Sequence, residues 1–350
     1  MRHRHSFAMR QGQGGYILAL SIAVLALMLV GATYIGQRMS LALKLAQAEQ
    51  QRANDDRALE SARARVLFLL ASVPRSRFGL GSGPQAVALD GRYYRFGDEA
   101  LVSLQDARGL FGINAFGLTG VGRQGIERLL GAYGLDAPTI SRLTDTLLDY
   151  RDTDELRRLN GAESEDYLAA AGGDRPRNAD LLTPNELSRV LGWQEQARLW
   201  EEDPITDHLH ILSRNAFNPN TAGWRALAAL SGLTPEIAQG LVRSRRSGEM
   251  PDISRMAFTG VIGDPFGSNA MVSLFPGETI IVTLRPAAGN WGHRMAVTHT
   301  PHGARAPWRI QYVQRVSLPP LEGERKSLPP LPEPGTLRDF GVKEQIQLPF

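Results

Sequence analysis

Residues Tyr16 to Gly36 form a run of 21 residues without a charged side chain, YILALSIAVLALMLVGATYIG. As a helix rising 1.5 Å per residue, such a run matches the roughly 30 Å hydrocarbon thickness of a bilayer. Before it stands MRHRHSFAMRQGQGG, a leader carrying Arg2, Arg4 and Arg10 and no acidic residue. A basic N-terminal flank stays on the cytoplasmic side, so the sequence predicts a single-pass anchor with the C-terminal bulk across the membrane. With those three arginines set aside, 36 basic residues face 36 acidic ones. The body therefore carries no bulk bias toward nucleic acid. Cysteine is absent, which excludes a disulfide framework, a thiolate metal site and a cysteine nucleophile.

A secretory signal peptide has an apolar region of about 7–15 residues followed by a small-residue cleavage site. This run is longer, and Ala46-Gln47-Ala48 is a weak candidate site. A plain signal anchor is a second reading. Neither explains why Gly14-Gly15 precedes the apolar run. The order of basic leader, Gly and apolar helix resembles a type IV prepilin-like signal. That resemblance implies that a dedicated inner-membrane prepilin peptidase cuts after Gly15. Tyr16 then becomes the N-terminus, with methylation of the new amine. Most pilin-like proteins carry Glu at the fifth mature position, where it pairs with a neighbour's terminal amine. Here that position is Leu20. An unpaired buried charge costs several kcal/mol, so a subunit with nothing above it has no use for that Glu.

From Gln37 to Val73 there is no Gly or Pro, and good helix formers dominate. The pattern predicts one helix from about Tyr16 to Ser72. In its second half Leu59, Val66, Leu67 and Leu70 share a face, while Arg57, Arg63 and Arg65 stay wet. A Gly/Ser/Pro-rich break follows at 75–84. Strand-like runs are expected at 85–90, 92–96 and 99–104, then helices at 125–133, 138–150 and 184–191. Residues 215–256 read as helical. Strands return at 278–284, 294–298 and 308–316. The tail from Leu318 is Pro-rich and repeats SLPPL at 317–321 and 327–331, which favours polyproline II and solvent exposure. The simplest topology brings early and late strands into one antiparallel sheet lying on the long helix.

Several stretches resemble the type II secretion protein K family. They are Asp106-Ala-Arg-Gly-Leu-Phe-Gly-Ile-Asn114, then Leu148-Asp-Tyr-Arg-Asp-Thr-Asp-Glu155 with Asn160-Gly-Ala-Glu-Ser-Glu-Asp-Tyr167, then Phe217-Asn-Pro-Asn-Thr-Ala222 with Gly232-Leu-Thr-Pro235. Their order, together with the N-terminal signal, carries the resemblance. It implies an α+β fold: a pilin-like long N-terminal helix on an antiparallel sheet, with a large all-α insertion of SAM-like or helix–hairpin–helix-like character. The expected divisions are a leader at 1–15 and a transmembrane half-helix at 16–36. The rest of that helix and the first strands fill 37–109. The insertion covers 110–268, with subdomains at about 110–200 and 213–260. Closing strands at 269–317 and the tail at 318–350 complete the chain.

The resemblance further implies a minor pseudopilin at the tip of a secretion pseudopilus, initiating and capping its assembly, rather than an enzyme. Its partners would be protein I-like and J-like minor pseudopilins and the major pseudopilin. It would sit in the bacterial inner membrane with its bulk in the periplasm, and no nucleic-acid partner is expected.

Asp149, Asp152, Asp154, Glu155, Glu163, Glu165 and Asp166 put seven carboxylates into eighteen residues. Hard oxygen ligands suit Ca²⁺, which takes six to eight oxygens. Glu163 falls twelfth from Asp152, but Arg157 stands where an EF-hand loop needs Gly, so that loop is not expected. A solvated acidic helix end relieved by Arg151, Arg157 and Arg158 is the plain alternative. Family members can bind calcium in this insertion, so the resemblance implies Asp152, Asp154, Glu163 and Asp166 as ligands, with Asp149 as a further candidate.

Other motifs in the sequence point to different chemistry. Gly120-Val-Gly-Arg-Gln-Gly125 with Asp145 about twenty residues on matches a dinucleotide fingerprint, but no buried strand precedes it; it reads as a turn before a helix. Asn218–Ala222 and Gly232–Pro235 look like helix–hairpin–helix repeats of competence-type DNA receptors, with Thr234 replacing the second Gly. Arg243, Arg245 and Arg246 supply a small basic cluster, more simply a solvated helix end. His208 and His210 lack a clear third ligand and read as surface residues. A membrane-anchored DNA-binding protein is the alternative function.

Overall fold

The computed structural model describes residues 14–77, 79–81, 85–114, 121–170, 175–212, 216–246, 272–318, 321 and 325–335. The chain divides into two units, Met1–Arg57 and Ala58–Phe350. The first is helical from Gly14 onward, as the start of helix α1 (Gly14–Ser72). Its apolar side chains from Tyr16 to Leu45 are exposed, as expected where lipid is the solvent. Among the described residues, α1 is the helix long and apolar enough to cross a membrane.

The second unit begins inside α1. Ala58, Leu59, Ala62, Val66, Leu69, Leu70 and Val73 are buried, at the three- and four-residue spacing of one helical face. Pro74 follows the helix and cannot continue it. A short pair, β1 (Gly79–Leu80) and β2 (Val87–Ala88), leads to the main sheet. That sheet contains β3 (Asp90–Phe96), β4 (Ala100–Asp106), β7 (Thr279–Pro286), β8 (Trp291–His299) and β9 (Trp308–Ser317) in the order β3-β4-β7-β8-β9, all antiparallel. The α+β architecture read from the sequence is therefore observed. The first expected strand is reduced to β2.

Strand alternation assigns the two faces. Val102, Leu104, Ile280, Val282, Leu284, Met295 and Val297 join the buried stripe of α1 in one core. Their alternates on the far face include Ser103, Thr283, Arg285 and Arg294, all buried. Arg294 reaches Asp207 of the insertion at 2.6 Å and Thr283 Oγ1 at 3.2 Å. The insertion thus seats on this face through polar contacts beside a small apolar patch of Ala107, Leu110, Ile281 and Ala296.

The insertion leaves the sheet after Asp106. It contains β5 (Phe111–Gly112), α2 (Val121–Gly131), α3 (Ala137–Arg151), α4 (Ser164–Ala169), β6 (Leu209–His210), α5 (Trp224–Ser231) and α6 (Pro235–Arg246). The stretch 184–189, expected as α-helix, is a 3₁₀ helix. A parallel β5–β6 contact ties its start to its middle. Its core gathers Phe111, Leu130, Leu147, Trp193 and Leu227, and the Trp193 indole N–H donates to the Leu143 carbonyl at 3.0 Å.

The tail departs from expectation in part. Leu318 and Leu331 are buried, and Pro330 bridges Arg95 of β3 in parallel. Most of residues 325–335 is exposed, as the composition suggests, but the stretch is not free of the fold: its backbone pairs with Arg95 and Leu331 is buried.

Candidate metal centre

Two helix ends build the acidic site. Asp152 is the C-terminal cap of α3, and Glu163 is the N-terminal cap of α4. The loop between them turns back so that one ligand atom from each of Asp152, Asp154 and Glu163 lies within 4.8 Å of the others. Asp152 and Glu163 are buried, while Asp154 is exposed.

Asp149 and Asp166 stand outside that trio and have other contacts. Asp149 is fully buried; its Oδ1 accepts from Arg158 Nη1 at 2.5 Å and its Oδ2 from the Arg158 backbone N–H at 3.1 Å. The same Nη1 donates to Asp152 Oδ2 at 2.5 Å. Asp166 accepts the Glu163 backbone N–H at 2.9 Å and pairs with Arg157 at 3.1 Å. It orients the start of α4. Gly161 is required sterically, since a Cβ there would lie 1.8 Å from Asp149 Oδ2. Asp145 accepts from Arg123 at 2.6 Å and from the Asn160 N–H at 3.2 Å. That anchors the loop, and Asp145 has no ribose-binding part in it. Gly120 lies outside the described residues.

At this site, among the described residues, three buried oxygens have no hydrogen-bond donor: Asp152 Oδ1 and both Glu163 carboxylate oxygens. Leaving a buried acceptor unsatisfied costs about 1–3 kcal/mol, more when it is charged. Burial first, then the charges of Asp149, Asp152, Glu155 and Asp154, push the Glu163 carboxyl up to about 7. Burial likewise raises Asp152 despite Arg158. The Asp154 carboxylate accepts the Leu156 N–H at 2.9 Å, so it is already aimed at the loop. These residues fit a hard divalent cation: the orphan atoms are all carboxylate oxygens, and a cation would relieve both the repulsion and the missing donors. Arg158 relieves the acidic run, as its place in the sequence suggests, but the two carboxylates it meets, Asp149 and Asp152, are buried. A basic residue within a carboxylate run reads as solvated relief, and nothing local shows it turned inward.

The remaining candidates serve the scaffold. His210 is buried rather than superficial; its Nδ1 accepts the Leu212 N–H at 3.1 Å, and burial lowers its pKa to about 3. His208 Nε2 lies 2.6 Å from Asp203. Arg245 corrects the basic-cluster reading: it is buried and donates to the Pro219 and Ala222 carbonyls at 3.2 and 2.8 Å. Its charge tethers the Asn218–Ala222 turn and is withheld from solvent. Gly15 and Tyr16 lie in the first turn of α1, and Leu20 follows one turn on.

Residues 109–199, which contain the acidic site, match the family model described as type II secretion system (T2SS), protein K. The chain is 28% identical over 259 residues to type II secretion system protein K of Klebsiella pneumoniae, covering 68% of this chain and 76% of that protein. Among solved structures it resembles a chain of the GspK-GspI-GspJ complex from the enterotoxigenic Escherichia coli type 2 secretion system. The TM-score is 0.52 at 15% identity, covering 78% of this chain and 98% of that one. That likeness bears on the fold alone, and the first two carry the similarity to protein K. With the apolar α1 and the insertion-bearing sheet, these matches make the chain similar to protein K of type II secretion systems.

Proposed function

We propose that this chain is a minor pseudopilin of the protein K kind and occupies the tip of the pseudopilus, where it initiates and caps assembly for protein export across the outer membrane. Leu20 carries the reading. A subunit inside a filament needs an acidic group there to meet the amine of the subunit above, and a carboxylate without such a partner in lipid costs about 2.5–3.5 kcal/mol. An apolar side chain suits the subunit with nothing above it. The bulk of the insertion on the sheet supports the same place, since such a mass is accommodated most easily at an end.

In this reading prepilin peptidase cuts after Gly15 and the Tyr16 amine is methylated. α1 anchors the chain in the inner membrane, with Ala58 onward in the periplasm. The partners are I-like and J-like minor pseudopilins, as in the solved complex, and the major pseudopilin beneath them. The protein works by assembly, not by catalysis. Calcium held by Asp152, Asp154 and Glu163 would supply positive charge that fixes the end of α3 to the start of α4. Asp149 and Asp166 support the loop behind it.

Co-expression with matching I-like and J-like proteins should yield a three-component complex, and the membrane-extracted chain should begin at Tyr16. A chain that begins at Met1, or one that stays alone when mixed with both partners, defeats the proposal.

A further inference from the structure

β3 is an end strand of the main sheet. An end strand presents unpaired N–H and C=O groups to any extended chain that reaches it. Here the chain's own tail meets those of Arg95. The Arg95 N–H donates to the Pro329 carbonyl at 2.8 Å, and the Leu331 N–H donates to the Arg95 carbonyl at 2.7 Å. The Arg95 guanidinium adds a bond from Nε to the Leu328 carbonyl at 3.0 Å. Leu331 is buried in the core between α1 and the sheet, and Glu333 pairs with Arg65 of α1. Two backbone bonds, the Arg95 guanidinium bond, one leucine and one ion pair hold the strap.

The sequence of the strap has a second property. In a parallel bridge, the residue opposite Arg95 directs its own N–H away from β3. That residue is Pro330, which has none. The next outward-facing nitrogen in the alternation is that of Pro332, also without a hydrogen, while Leu331 between them keeps the inward donor. Proline at alternate positions leaves the strap able to pair inward and unable to donate outward.

We propose that residues 325–335 are a self-supplied terminating strand. They fill a strand-addition site on β3 and offer no donor edge for a further strand. Without the strap, the β3 edge pairs with the same edge of a second copy of this chain.

The test uses the full chain in detergent, a chain ending at Leu321, and the double variant Pro330→Thr/Pro332→Thr. Hydrogen exchange at the Arg95 amide reports the strap, the Val282 amide reports the sheet, and sedimentation reports self-association. Ending the chain at Leu321 should speed exchange at Arg95 by about 100-fold or more, leave Val282 slow, and raise association above that of the full chain. A synthetic peptide of residues 327–335 added in trans should reverse both effects. The proline variant should keep Arg95 slow yet associate, because its strap regains outward donors. If the shortened chain loses Val282 protection, the full chain with Leu331→Ser and Glu333→Gln replaces it, with the same expectations. An Arg95 amide that remains slow without the strap, or faster exchange with no added association, overturns the proposal. So does a proline variant that sediments as the wild type.

Discussion

The Thr221 hydroxyl donates to Asp106 Oδ2 at 2.8 Å, joining the last residue of β4 to a turn 115 residues later. Asn218 Nδ2 reaches the same oxygen at 3.0 Å. The Arg108 and Gly277 backbone N–H groups reach Oδ1 at 3.0 and 2.9 Å. One buried carboxylate therefore holds the exit from the sheet, the Asn-Pro-Asn-Thr turn and the return to the sheet. Asp106→Ala orphans four donors and should cost about 3–5 kcal/mol. Asp106→Asn retains one acceptor oxygen and should cost less. Urea denaturation of the detergent-extracted protein ranks the two, and equal stability of wild type and Asp106→Ala would contradict the role given to this residue.

Glu163 predicts the pH dependence of the cation-free protein. Its folded value, pushed up to about 7, exceeds the ordinary 4.5, so the folded state favours the protonated form. The stability it contributes is complete below about pH 4.5 and is lost as pH rises through about 7. Melting temperature in chelator should therefore fall across that window, and Glu163→Gln should flatten the fall. Calcium should raise the melting temperature of the wild type at pH 7.5 and leave the variant nearly unchanged. Scanning calorimetry in chelator and in calcium checks both, and a flat chelator profile for the wild type would refute the argument.

Arg158 lies between Asp149 and Asp152. Arg158→Met keeps the stem and removes the charge, leaving Asp149 buried and unpaired at a cost of about 3–5 kcal/mol. Gly161→Ala should destabilise as well, because Asp149 must move to admit the new Cβ. Calcium titration of either variant by calorimetry should show weakened binding; unchanged affinity in both would separate this scaffold from the proposed metal site.

Leu20→Glu restores the acidic group of ordinary filament subunits. At the tip it would find no amine above it. The variant should insert and be processed, yet recover less of the I-like and J-like partners in affinity capture. Equal recovery would speak against the tip position.

The regular elements were legible because their signals are local. Thirty-seven residues without Gly or Pro announce the second half of α1, and the strand-like runs at 99–104 and 278–284 coincide with β4 and β7. The acidic loop was visible as composition, and three of its five candidate ligands converge. What stayed hidden depends on distant chain. Arg245 looked solvated until Pro219 and Ala222 were seen to accept from it. The Pro-rich tail looked exposed because its composition carries no trace of Arg95, more than 230 residues earlier. The two-residue strands β5 and β6 are too short to announce themselves.

β4 and β7 lie side by side, with Asp106 opposite Ile280, although more than 170 residues separate them in the chain. This adjacency sets an order of events during folding. Closing so long a loop from an unstructured chain costs roughly 2.5 kcal/mol more than closing one of ten residues, and non-local ladders of this kind are slow to form. If the insertion folds first, its two ends emerge together and the central ladder closes as a short hairpin does. The sheet is then the last part to assemble, on a template already made by the domain it carries.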